Sequence, residues 1–190
     1  KCKKKISGQY ALVEFISILS FLIVYYLYGI SLTSVLLMTL SLSFIIIFFI
    51  DLKHFVIPNV LTFSMMALGF AKSFDPNLNP MFPNYINSLI GGFFGYGIIW
   101  SIIFFYKQIR KKEGMGLGDA KLFAAIGFWF GWISIPFVIF LSSVIALISV
   151  VPDLMKNSKK MSTQIPFGPY IVLGTLIYVI FKNNFTSLLF

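Results

Sequence analysis

Acidic residues are scarce in this sequence. There are six Asp and Glu among 190 residues, against fifteen Lys and Arg. Charged residues make up 11% of the chain, where an ordinary soluble domain carries about 25%. There is one cysteine, Cys2, and one histidine, His54. A lone cysteine excludes an internal disulfide framework and cannot complete a tetrahedral zinc site. The low charge also excludes disorder, which needs few apolar residues and many charged ones. What is abundant is apolar: 58% of the residues, with a mean hydropathy of +0.92. One core of this size cannot hide so much apolar surface. The expected class is an all-α, polytopic membrane bundle.

Crossing the hydrocarbon takes about 20 apolar residues. Runs of that kind predict spans near 10–28, 33–50, 58–72 and 86–106. The stretch from Ala120 to Val151 would reach about 48 Å as one helix, too long for a bilayer. Gly131 and Pro136 offer a break, which divides it into spans near 119–132 and 135–151. A last span lies near 166–181, making about seven. Alternating crossings put thirteen basic residues on one side: Lys1, Lys3, Lys4, Lys5, Lys53, Lys107, Arg110, Lys111, Lys112, Lys121, Lys156, Lys159 and Lys160. Only Lys72 and Lys182 fall on the other. By the positive-inside rule the crowded side is cytoplasmic, in a multi-pass plasma-membrane protein. The net charge of +9 therefore records sidedness and not affinity for nucleic acid. Gly91-x-x-x-Gly95 and Gly127-x-x-x-Gly131 suit close helix packing.

Ionisable groups at a membrane boundary are costly and often functional. Asp75, Glu113 and Asp153 fall in polar loops and read as solvated charge. Asp51 and Asp119 are different. Asp51 ends the apolar run Phe44–Ile50, and Asp119 opens the fifth span. Two crossings separate them, so both arrive at one face although 68 positions apart in sequence. Close carboxylates hold one proton between them. The ionised member can then take a proton from water while the other polarises a carbonyl. Asp119 follows Gly114-Met115-Gly116-Leu117-Gly118, whose glycines allow positive φ and close backbone approach. After Asp51, Pro58 suits the first turn of the next helix. His54 reads as a hydrogen-bond partner in this loop. Lys121 reads as an aid to ionisation, a peptide-carboxyl ligand or an interfacial anchor.

Three segments carry a family resemblance: Asp51-Leu-Lys-His-Phe-Val-Ile-Pro58-Asn59, Gly116-Leu-Gly118-Asp119-Ala-Lys121-Leu, and Pro166-Phe-Gly168-Pro169. Together they resemble the type IV prepilin peptidases, membrane aspartic proteases with a Gly-x-Gly-Asp motif. The resemblance covers nearly the whole chain. It implies that Asp51 and Asp119 are the catalytic pair. The substrates it implies are pilin, pseudopilin or competence-type precursors, cut behind a short basic leader at the cytoplasmic face. The peptidase step then needs no cofactor and no metal.

Many members also methylate the new amino terminus with S-adenosylmethionine and carry a cysteine-rich zinc loop. Cys2 resembles the last cysteine of that loop, and Glu14 the glutamate of a following motif in which Ala11 replaces a proline. Residues 1–9 are accordingly expected to be a loop remnant before a peptidase domain over 10–190. S-adenosylmethionine and zinc are expected only with a further amino-terminal module. The rival readings are a preflagellin-type peptidase and a small proton-coupled transporter. A transporter would place its acids near the midplane and show inverted repeats, and neither is visible.

Overall fold

In the computed structural model, residues 8–78, 82–111, 115–155 and 165–189 are described. Cys2 and most of the expected remnant 1–9 lie outside them. So do Glu113, Gly114 and the lysines from 156 to 160. Seven α-helices follow one another: α1 (Gly8–Tyr28), α2 (Leu32–His54), α3 (Asn59–Ala71), α4 (Tyr85–Arg110), α5 (Leu117–Phe130), α6 (Ser134–Met155) and α7 (Gly168–Leu189). No strand occurs among the described residues. The helices stand where the apolar runs place the spans. Four of them, α1, α2, α4 and α6, are long and apolar enough to cross a membrane, as expected of a membrane protein.

The chain forms two units, residues 1–46 and 47–190, with the boundary inside α2. In the first unit, α1 ends at Gly29, whose φ of 59° lets its N–H reach the carbonyl of Tyr25 at 2.8 Å. Ser31 then starts α2: its Oγ accepts from the Ser34 N–H at 3.2 Å, and the Ser34 Oγ accepts from the Ser31 N–H at 3.1 Å. Two otherwise orphaned donors are satisfied reciprocally.

The second unit is built around α5, which is buried along nearly its whole length. Its 14 residues reach only about 21 Å, so α5 is a core helix within the bundle. The expected break falls at Gly131, with φ of 80°. Pro136 is not part of the break. It sits in the first turn of α6, where its missing N–H costs nothing. Helix α4 crosses α5 at glycines. A methyl on Gly95 would stand 2.6 Å from the Phe123 carbonyl oxygen, and Gly91 and Gly127 meet backbone to backbone. The glycine pairs thus pack α4 on α5, as such spacing predicts. On the other flank Gly69 of α3 admits the Trp129 ring, whose Nε1 donates to the Met65 carbonyl at 2.7 Å.

Ending inside the protein leaves the last carbonyls of α5 without helix partners. Three of them find one. Gly131 N–H donates to Gly127, Ser88 Oγ to Phe128 at 2.7 Å, and Lys72 Nζ to Trp129 at 3.0 Å. Lys72 is buried, with its ammonium 3.9 Å from the centre of the Phe82 ring. A cation at a helix carboxyl end, over an aromatic face, is a favourable placement.

Candidate active site

The two singled-out aspartates lie on one cavity of about 510 Å³. Asp51 comes from the last turn of α2. There the Phe55 N–H closes the helix on the Asp51 carbonyl at 2.9 Å. Phe55 takes φ of 56°, a conformation that glycine usually supplies at this position. The turn redirects the chain through Val56 and Ile57 to Pro58, which precedes α3 in extended geometry. Asp119 comes from the first turn of α5. Both residues are buried, at 5% and 7% exposure, and Asp119 feels the charge of Asp51.

Each carboxylate is held by a backbone donor through one oxygen. Asp51 Oδ2 accepts from the Gly168 N–H at 2.9 Å. That N–H is the first of α7, an unpaired donor at the positive end of a helix. Asp119 Oδ2 accepts from the Gly116 N–H at 3.1 Å, an acid reaching back from the third helical position to its own cap. The second oxygen of each acid makes no bond among the described residues.

The motif residues divide by what they do. Gly168 is in contact with Asp51, and a methyl there would lie 2.7 Å from Oδ2. Pro166 lines the cavity, and Pro169 sits in the first turn of α7. Gly116 and Gly118 do not use positive φ, contrary to one of the two roles the sequence suggests for them. Gly116 is extended, with φ of −82°. Gly118 serves the other role, close approach, with Ile57 Cβ 3.1 Å from where its own Cβ would be. Lys121 Nζ bonds to Asn59 Oδ1 at 2.7 Å. His54 is exposed and does not line the cavity. Glu14 lies exposed on α1, in the first unit.

The structure adds Asn59 and an apolar rim of Phe55, Val56, Met115, Ile165 and Phe167. Asn59 carries no mark in the sequence beyond its place after Pro58. A larger groove of about 1080 Å³ follows α4 from Leu89 to Ile109. Among the described residues its lining is apolar apart from Ser101 and Tyr106.

Comparison with known proteins places the chain in a family. The model of the type IV leader peptidase family matches residues 38–151, a range that holds both aspartates. The chain belongs to this family. A prepilin leader peptidase/N-methyltransferase of Pseudomonas aeruginosa is 32% identical over 185 residues, covering 97% of this chain and 62% of the relative. Proteins of the same description from Aeromonas hydrophila and Xanthomonas campestris are 31% and 33% identical, over 97% and 95% of this chain. This chain spans about 62% of the length of those relatives. No solved structure gives a significant match.

Proposed function

We propose that this chain is the peptidase region of a membrane aspartic endopeptidase that removes the short basic leader of type IV prepilin-like precursors. The observation that supports it best is the convergence of Asp51 and Asp119 on one cavity, each with one carboxyl oxygen tied to a backbone N–H. Tying one oxygen leaves the other to face substrate. The pair holds a single proton between them. The ionised carboxylate takes a proton from water, whose oxygen bonds to the scissile carbonyl carbon. The protonated carboxyl group gives its proton to the carbonyl oxygen. The tetrahedral adduct then collapses: the carboxylate that gave up its proton takes one back from an adduct hydroxyl as the carbonyl re-forms, the carbon–nitrogen bond breaks, and the amine leaves with the proton held by the other carboxyl group. Water is consumed and the two carboxyl groups return to their starting state. No cofactor takes part in this step. S-adenosylmethionine and zinc belong to methylation, which we do not assign to these residues.

In this reading the dyad faces the cytoplasm of a plasma-membrane protein, the side to which the basic residues assign both aspartates. The substrate's apolar helix rests in the bilayer and its basic leader meets the cavity from that side. Leader removal, followed on a gel with prepilin co-expressed beside wild type, Asp51→Asn or Asp119→Asn, tests the chemistry. Loss in both variants, at equal membrane level, is expected; normal processing in either overturns the dyad. Single cysteines at 54 and 115 should label from the cytoplasm, and one at 78 from outside. The opposite pattern overturns the orientation.

A further inference from the structure

Three polar side chains line the cavity among the described residues: Asp51, Asp119 and Asn59. A peptide held there presents carbonyl oxygens that have left water and need donors. The dyad has one proton, and the reaction uses it. Asn59 is the one lining side chain with N–H groups to spare. Its orientation is settled by its partner. Lys121 Nζ, which can only donate, bonds to Asn59 Oδ1 at 2.7 Å. The amide oxygen is thereby engaged, and Nδ2 makes no bond among the described residues. A charged donor on the oxygen also polarises the amide, which makes its N–H groups better donors.

A helix-capping role does not account for this side chain. Capping would turn Oδ1 onto a first-turn N–H of α3, but Oδ1 goes to α5 across 62 positions of sequence. Pro58 occupies the cap position instead.

We propose that Asn59 is a substrate-binding residue whose Nδ2 donates to a main-chain carbonyl of the bound peptide beside the scissile bond. Lys121 is the positioning residue that holds the amide in this sense. The inference rests on the peptidase reading above and adds to it how the peptide backbone is gripped. A bond made alike to bound substrate and transition state appears in KM, not in kcat.

Asn59→Asp is the sharpest test, because it keeps an acceptor for Lys121 and removes both N–H groups. With purified enzyme and a prepilin substrate, KM should rise about three- to tenfold, the span of one neutral hydrogen bond, with kcat within about twofold. Lys121→Met should raise KM in the same direction, and Lys121→Arg should restore it. The double variant Asn59→Asp with Lys121→Met should be no worse than Asn59→Asp alone, since Lys121 acts through Asn59. Should Asn59→Asp fail to accumulate, Asn59→Ala reads the same loss. A wild-type KM in the Asn59 variant, a fall in kcat at constant KM, or additive losses would each overturn the proposal. A binding arm needs no cleavage: the Kd of a labelled peptide spanning the cleavage site, for Asp119→Asn with and without Asn59→Asp. Binding weakened about three- to tenfold supports the grip, and equal affinities overturn it. An inactive wild type with intact Asn59-dependent binding would sink the peptidase reading and leave the grip standing.

Discussion

Gly168→Ala probes the contact on which the geometry of Asp51 depends. The new methyl would stand 2.7 Å from Oδ2, 3.0 Å from Cγ and 3.2 Å from Cβ of Asp51. Carbon–carbon contacts settle near 3.5–4.0 Å, so the carboxyl group must retreat by about 0.5 Å or more. Gly168 has no positive φ, so the backbone accepts alanine without torsional strain. The cost is steric and falls on the Asp51 carboxyl group. Moving away stretches the 2.9 Å bond from the Gly168 N–H and shifts the free oxygen of Asp51 relative to Asp119. A misplacement of about 1 Å can cost on the order of 100-fold in rate. We expect kcat for leader removal to fall roughly 10- to 100-fold in purified Gly168→Ala, with an overpacking cost of about 1–3 kcal/mol. Two other glycines grade the effect. Ile57 Cβ is 3.1 Å from the Cβ position at Gly118, whereas the nearest atom to that position at Gly116 is 3.7 Å away. Activity should therefore fall in the order Gly116→Ala, Gly118→Ala, Gly168→Ala. Wild-type kcat in Gly168→Ala, or a larger loss in Gly116→Ala, would refute the account.

Three further predictions concern the frame that carries the site. Gly127→Ala drives a methyl into the backbone of Gly91. It should lower the Tm in detergent by several degrees, as overpacking of about 1–3 kcal/mol implies, and an unchanged Tm would contradict the close crossing. Lys72→Met removes the donor to the Trp129 carbonyl and the cation over Phe82. Stability should drop by about 1–3 kcal/mol with kcat/KM within about twofold, and a selective loss of activity would contradict a bracing role. Ser142 Oγ is buried without a hydrogen-bond partner among the described residues, and it abuts Gly174. Ser142→Ala should therefore hold or raise the Tm, and a clear fall would show that the hydroxyl has a partner.

Much of the fold is legible in the sequence because a bilayer imposes length and polarity on every element that crosses it. The scarcity of charge set the class, and the break between α5 and α6 was visible at Gly131. The place of Asp51 and Asp119 was also visible, since acids next to apolar runs stand out when there are only six in the chain. Family membership agrees with the motifs that surround them.

Other features of the site were not legible, because they depend on distances across helices. Nothing local says that Gly118 leaves room for Ile57 and needs no unusual torsion. Nor does the sequence say that Lys121 turns toward Asn59. The partners of α5's last carbonyls come from α3's end, α4 and the following turn, and no spacing rule links them. Composition and periodicity, set by the solvent, determined that this chain is a helical membrane protein with two acids at one face. Only the tertiary structure decided which backbone N–H holds Asp51 and which side chain Lys121 meets beside the cavity, because those contacts join residues 62 to 117 positions apart, whose separation is closed by packing alone.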